Sequence, residues 1–214
     1  MKVALYGGTG MVGSRIAGEA LARDHRVTAI SRHTGAPVPR GALPRRGDAA
    51  DADDVARVAS EHDVVVSAIG PSRIGGRHQA FLDAIACLAE NVGTRRLVVM
   101  GHSGSLQVAP GLRMLDLPTY PVAYRPEALT HAAALTLLKG TGALLDWVYL
   151  SPAPALSPGE RSGSYRVGLD APVGEWISAE DLAVALLDEI EVPRHRRVRF
   201  TVAHRPVAHR PADR

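Results

Sequence analysis

Cysteine occurs once in 214 residues, at Cys87, so the chain cannot close an internal disulfide. Neither a CxxC nor an HExxH motif is present, which removes the common metal-binding patterns. The apolar neighbours Ala84, Ile85 and Leu88 on a helical stretch predict that Cys87 is a buried structural thiol. No apolar run approaches the ~20 residues that span a bilayer. The chain enters a strand at once, without the charged, apolar and cleavage regions of a secretory signal, so a cytoplasmic protein without a membrane partner is expected. Acidic charge is also scarce at one end: from Arg194 onward there are seven arginines and one acid, Asp213. The remainder holds 18 basic against 21 acidic residues, so a pI near 9.3 reflects the end segment and gives no reason to expect nucleic acid.

With 46% hydrophobic and 22% charged residues, the composition suits one substantial α/β core. The expected organisation is a domain over 1–203 followed by a basic tail over 204–214 that frays or lies along the surface.

The chain is organised around its first thirty residues. Val3 to Tyr6 is a short apolar run of the kind buried on both faces of a sheet, and Gly7-Gly8-Thr9-Gly10 stops it. Val12, Ile16, Ala17, Ala20 and Leu21 then share one helical face, and Arg26 to Ile30 restores a strand. The spacing Gly7-x-x-Gly10-x-x-Gly13 between strand and helix fits a phosphate cradle, because glycine lets the backbone come close enough for free helix N–H groups to reach the ligand. Arg32 follows the second strand where a dinucleotide site reads the adenine ribose. A planar cation there suits a 2′-phosphate, which points to NADP(H); a solvated surface arginine is the alternative.

Strands and helices alternate through the rest. A loop over His33 to Arg46 has room for a short third strand, and Asp51 to Glu61 reads as a helix with Val55 and Val58 inward. Asp48 has two readings, an acceptor for an adenine amino group or a helix cap. Asp63 to Gly70 is a fourth strand, whose end at Ala68, Ile69 and Gly70 suits a cofactor crevice because the closing glycine lets a ligand lie against the backbone. Gly76 to Asn91 is helical, Arg96 to Met100 a fifth strand, and Val108 to Pro126 a long irregular segment that predicts a lid or substrate wall. Later come a helix from Pro126 to Lys139, a strand from Asp146 to Leu150, a helix from Ser178 to Ile190 and a strand from Arg197 to Val202. The pattern predicts a Rossmann-type, doubly wound parallel sheet with ligands at its C-terminal edge, where Gly7 to Gly13, Arg32, Asp48, Gly70, Ser103 and Pro152 fall.

The motifs GGTGMVG, SR, GDAAD and SAIG, with the late stretch YLSPAPALSPGERSGSYRVG, resemble the atypical short-chain dehydrogenase/reductase group. Within it the chain is most similar to the NAD(P)H-binding proteins that include biliverdin reductase B, flavin reductases and NmrA-like regulators. The resemblance covers nearly the whole chain, to about Val202. It implies that Thr9, Gly10, Met11, Val12 and Arg32 hold phosphates, that Asp48 and Ala49 meet the adenine, and that Ser103 and Leu150 to Pro152 lie near the nicotinamide.

Departures from the group narrow the chemistry. Ordinary members pair a Tyr with a Lys four residues later, but this chain has only Lys2 and Lys139, and Leu135 stands four residues before the latter. The late-strand His of biliverdin reductase B-like enzymes is replaced by Ala153, although His102 lies beside Ser103. Without a matched acid an isolated ketone is a poor substrate, whereas a flavin, quinone or linear tetrapyrrole spreads the arriving charge. The expected activity is therefore NADPH-dependent reduction of such a small-molecule acceptor, with Ser103 as the catalytic hydrogen-bonding residue or else simply the closing residue of its turn. Two rivals stand beside it, an NADP(H) sensor that catalyses nothing and a sugar-nucleotide epimerase. Monomer and homodimer are both open.

Overall fold

The first strand, β1 (Lys2–Tyr6), parts the molecule into two cores, because its side chains alternate across the sheet. Val3 and Leu5 enter one apolar cluster, Ala4 and Tyr6 the other. The computed structural model describes residues 1–33, 35, 37–72 and 78–205.

After β1 come α1 (Met11–Ala22), β2 (Arg26–Ser31), β3 (Leu43–Arg46), α2 (Ala52–Glu61), β4 (Val64–Ser67), α3 (Gln79–Asn91) and β5 (Arg96–Met100). The second half holds β6 (Gln107–Ala109), β7 (Leu112–Arg113), α4 (Arg125–Lys139), β8 (Trp147–Pro152), β9 (Ala155–Ser157), β10 (Arg166–Gly168), β11 (Trp176–Ser178), α5 (Ala179–Glu191) and β12 (Val198–Ala203). Eight strands form the main sheet in the order β10-β12-β8-β5-β4-β1-β2-β3. All pairs are parallel except β10 on β12, an antiparallel edge. Helices α1 and α5 contribute Ile16, Ala17, Leu182 and Leu186 to one core, and α2, α3 and α4 contribute Val55, Ile85 and Leu135 to the other. The fold is the doubly wound α/β sheet that the alternation of elements predicts.

Strand order reverses beside β1, with β2 on one side and β4 on the other. The C-terminal ends of β1 and β4 therefore flank the switch point where open sheets of this type take ligands.

Several boundaries differ from those expected. Strand β4 stops at Ser67, so Ala68, Ile69 and Gly70 form the loop at its mouth. Helix α3 starts at Gln79; Gly76 and Arg77 lie outside the described residues. The stretch after Val108 is not irregular: β6 and β7 make a small hairpin, and one-turn 3-10 helices follow at Met114–Asp116 and Val122–Tyr124. Strands β9, β10 and β11 were not anticipated. Each is three residues long and pairs with a distant partner, Trp176 with Ala155 for example, so no local periodicity announces them. Cys87 is partly exposed; Asn91 Nδ2 lies 3.7 Å from its Sγ, and burial is the main cause pushing its pKa up. His204, the first residue of the segment expected to fray or lie along the surface, is held against the body: it accepts the Ser178 N–H at 3.1 Å and packs on Trp176. Residues 206–214 of that tail lie outside the described residues.

Candidate functional site

The three glycines of the first turn have separable roles. Gly7 has φ +83°, and a Cβ there would stand 2.8 Å from the Ala68 carbonyl, so glycine lets the ends of β1 and β4 meet. A Cβ on Gly13 would lie 2.1 Å from the Gly7 oxygen, so that glycine seats α1 on the turn. Gly10 is different: a Cβ there would meet only the Gly7 oxygen at 3.5 Å, an ordinary contact. The protein's own packing does not require glycine at position 10, and the space it leaves is open to a ligand. Gly10 is also the N-cap of α1 and offers no side-chain cap, and the first turn carries no acid. The opening N–H groups of Met11, Val12 and Gly13 thus face the Gly10 side with the positive end of the helix dipole behind them. Thr9, Gly10 and Met11 are exposed and Val12 is half-buried. A pyrophosphate fits this cradle.

The edge where the sequence leads one to expect the adenosine is built from the ends of β2 and β3. Arg32 is exposed just beyond β2, and the β2–β3 register sets Arg46 opposite Ser31, one residue before Arg32. Arg46 was not singled out from the sequence, since a run of arginines in a Pro-rich loop shows no register. The Gly47 N–H donates to the Ser31 carbonyl at 3.0 Å, which carries the chain from β3 toward Asp48. Asp51, not Asp48, caps α2, accepting the Asp54 N–H at 3.0 Å. Asp48 Oδ1 accepts from the Ala50 N–H at 3.0 Å, and its own N–H donates to Asp54 Oδ2 at 3.0 Å. Buried Asp54 thus holds the GDAAD loop, with Arg57 donating to it at 2.6 Å. Asp48 stays exposed at the sheet edge while Ala49 is buried against the α2 core.

At the far end of the crevice, β5 runs into Gly101 and His102, and a 3-10 turn at Ser103–Ser105 follows. Gly101 is obligatory, since a Cβ there would lie 1.9 Å from the Tyr149 ring. Ser103 is only 6% exposed, and its carbonyl accepts the Leu106 N–H at 2.8 Å. Arg199, on β12, supports the turn by donating to the Ser105 carbonyl at 2.7 Å and to Ser105 Oγ at 2.9 Å. Leu150 and Pro152 sit in the sheet on β8 beside β5 and β12; both are buried, and the Leu150 side chain belongs to the core, so this pair offers main chain rather than side chain to a ligand. Ala153 is buried as well.

Helix α4 adds groups that the sequence did not flag. His131, 4% exposed, stacks on His102 with ring centroids 5.5 Å apart and packs against Phe81 at 4.8 Å. Its Nδ1 lies 3.3 Å from the Tyr149 hydroxyl, which donates to the His131 carbonyl at 3.0 Å. Burial pushes the Tyr149 pKa well up, against smaller pulls from Arg199 and the His102 main chain, so the phenol stays protonated. His78 at the start of α3 contacts Thr130 of α4, Nδ1 to Oγ1 at 2.7 Å. Leu135 faces the core and Lys139 is exposed in the last turn of α4. A histidine within a helix reads as surface or core alike, so only the packing of α4 on β5 and β8 identifies His131.

A family model for NAD(P)H-binding proteins matches residues 7–193, from the glycine turn through α5. The chain belongs to this NAD(P)H-binding family. Among proteins similar to it, the uncharacterized protein YwnB of Bacillus subtilis (strain 168) is 34% identical over 215 residues, covering 94% of this chain and 98% of YwnB. The structure superimposes on a candidate exported protein of Burkholderia pseudomallei with a TM-score of 0.84 at 40% identity, covering 95% of this chain and 100% of that one. A candidate NADH-flavin reductase of Streptococcus pneumoniae TIGR4 gives a TM-score of 0.83 at 28% identity, covering 96% and 100% of the two chains. Resemblance to the reductase-containing branch of the atypical short-chain dehydrogenases is thereby upheld, and a nicotinamide cofactor belongs to this family member. Among the described residues no helix is long and apolar enough to cross a membrane.

Proposed function

We propose that this family member is an NADPH-dependent reductase of a conjugated small-molecule acceptor, a flavin, quinone or linear tetrapyrrole. The observation that carries the reading is the make-up of α4 and the β5 turn. Where a carbonyl reductase needs a tyrosine with a lysine one helical turn on, Leu135 points into the core and Lys139 stands exposed at the helix end. Among the described residues the polar groups around the β5 turn include the Ser103 hydroxyl, the His102 and His131 imidazoles and the Tyr120 hydroxyl, which would stand 2.9 Å from a Cβ on Gly104; in this reading they orient an acceptor and stabilise charge on it. NADPH, when bound, supplies the hydride. The residues at 7–13 hold its pyrophosphate, the cations Arg32 and Arg46 favour a 2′-phosphate, and the loop from Ala68 to Gly70 leaves room beside β4. Ser103 hydrogen-bonds the nicotinamide amide or the acceptor. A conjugated acceptor fits this set because it delocalises the incoming charge and takes its proton from water. The candidate flavin reductase among the structural relatives supports the same class.

Stopped-flow oxidation of NADPH against flavins, quinones, biliverdin and simple ketones tests the reading. Rapid turnover with the first three types and none with ketones is expected, and Ser103→Ala should slow it ~10-fold, the ~1.4 kcal/mol of one positioning hydrogen bond. Calorimetry should find NADPH bound at least ~10-fold tighter than NADH, a preference removed by Arg32→Ala. Tight NADPH binding with no acceptor oxidising it above the background rate would instead mark a sensor.

A further inference from the structure

The edge between β4 and β5 carries an ordered pair of histidines, and one of them has its proton placed by the backbone. His102 Nδ1 accepts the Gly104 N–H at 2.9 Å. An acceptor nitrogen carries no proton, so neutral imidazole at this position bears its hydrogen on Nε2. A proton on Nδ1 would set two donors against each other and break the bond that closes the turn. The ring is also fixed in orientation: it stacks on His131 at 5.5 Å, and the interplanar angle is 25°. His131 in turn is held by Tyr149. Since the phenol gives its one hydrogen to the His131 carbonyl, its oxygen is left to accept from His131 Nδ1 at 3.3 Å. Tyr149 is itself wedged beneath Gly101, the residue before His102.

The pair lies where a ligand would be. His131 Nε2 comes within 3.9 Å of the place a Cβ on Gly70 would occupy, at the mouth of β4, and His102 stands half-exposed next to Ser103 at the mouth of β5. The two mouths are the C-terminal ends of adjacent parallel strands, with His102 following β5 and His131 reaching over from α4.

From this geometry we infer that His102 Nε2–H is a fixed hydrogen-bond donor to the acceptor, with His131 and Tyr149 as its positioning residues. The inference rests on the reductase reading above. In the step it serves, hydride adds to the conjugated acceptor, the electron pair settles on an acceptor oxygen or nitrogen, and Nε2–H hydrogen-bonds that atom. The proton that completes the reduction comes from water, and the imidazole keeps its own, because giving up Nε2–H would leave an imidazolate. His102 is thus a donor of fixed polarity and not a proton shuttle, and it is suited to an acceptor with an electronegative atom in conjugation with the carbon or nitrogen that takes the hydride.

His102→Asn isolates the donor from the turn. Asn Oδ1 takes the place of Nδ1 as acceptor for the Gly104 N–H, a turn closure that Asn makes readily, but nothing replaces Nε2–H. Expected for this variant are an unchanged melting temperature, NADPH affinity within about 2-fold of wild type, and turnover with FMN or menadione lowered at least ~10-fold. Long-range ¹H–¹⁵N spectra of histidine-labelled wild-type protein should show His102 as the Nε2–H tautomer, independently of any activity. Tyr149→Phe, which keeps the ring under Gly101 and removes the hydroxyl, should move the His131 ring signals and lower kcat several-fold without changing the KM for NADPH. A wild-type protein inert toward every acceptor overturns the reductase reading and this inference with it. An active wild type whose His102→Asn variant turns over at full rate, or whose His102 carries its proton on Nδ1, overturns this inference alone. Unmoved His131 signals in Tyr149→Phe remove the positioning roles.

Discussion

From Gly7 to Gly70 the crevice wall is backbone laid on backbone: Gly13 against the Gly7 carbonyl, Gly7 against Ala68, and the Ala68 N–H donating to the Tyr6 carbonyl at 2.9 Å. From Gly101 to Ala203 the opposite wall is side chains reaching across long stretches of sequence. Arg199 grips Ser105, Tyr149 grips His131, and buried Asp181 accepts from the Gly163 N–H at 2.7 Å and from Ser162 Oγ at 2.5 Å. A wall of the first kind fails when a Cβ is added, and one of the second kind fails when a single polar atom is removed. A glycine turn at a helix start is the general device for cradling a dinucleotide, and in the reading proposed above the second wall faces the acceptor.

The largest effects should come from the glycines, and they should divide. Gly13→Ala forces its Cβ to within 2.1 Å of a carbonyl oxygen, so α1 must leave the turn. Overpacking against backbone costs about 3 kcal/mol or more, and urea unfolding should show that loss whether or not cofactor is present. Gly10→Val meets ordinary contact distances and a backbone at φ −77° and ψ 171° that any residue adopts. It should therefore leave stability within about 1 kcal/mol while lowering NADPH affinity at least ~100-fold in calorimetry, because the added methyls fill the phosphate cradle. Should both variants behave alike, the separation of packing glycines from the ligand glycine is wrong.

On the second wall, Arg199→Met should be the next most damaging. Arg199 is 3% exposed, and its loss leaves the Ser105 carbonyl and hydroxyl without their donor. Its carboxylate partner Asp170 has a side chain 53% exposed and can turn to water, so the cost falls on Ser105, about 2 kcal/mol. Turnover should drop more than NADPH affinity, since the turn that Arg199 holds carries Ser103 while the proposed phosphate cradle is on the first wall. An Arg199→Met protein with intact turnover but weakened NADPH binding would reverse the assignment of the two walls.

The same contrast explains what could be read from the sequence. Gly7, Gly10 and Gly13 between an apolar run and an amphipathic helix specify the first wall locally, because a phosphate-sized gap at a helix start is a property of consecutive residues. The sheet order follows from alternating strands and helices. Asp48 was ambiguous because two carboxylates three residues apart both precede α2, and only the structure shows Asp51 capping it. His131, Tyr149 and Arg199 were passed over for a different reason. Each looks unremarkable among its sequence neighbours, and its role exists only after β8 has paired with β5, β12 with β8, and α4 has packed over them. The strap over Ala155 to Gly168 was read as family likeness, but its short strands depend on pairings more than twenty residues away.

Several ion pairs cross from the second wall to the first, and acid should loosen the one at Glu19. Arg161, in the strap after β9, donates through Nε and Nη2 to Glu19 of α1, each at 2.7 Å, and Arg23 donates to Glu19 at 2.8 Å. The Arg161 hydrogen bonds, then Arg23, hold the Glu19 carboxyl below its ordinary value of 4.5, in spite of the burial that opposes them. A carboxylate whose folded pKa is depressed stabilises the protein fully above its unfolded value, and that stability is lost as pH falls through the lower, folded value. Glu19→Gln at pH 7 should accordingly cost about 1 kcal/mol, toward the low end for charged hydrogen bonds because Arg161 is 56% exposed and water replaces its partner. The difference between wild type and variant in thermal unfolding should stay constant from pH 7 down to about 5 and then shrink toward zero as the wild-type carboxyl takes up its proton. A gap that persists undiminished at pH 3 would mean that Glu19 acts through shape alone, and that its charge does not bind the strap to α1.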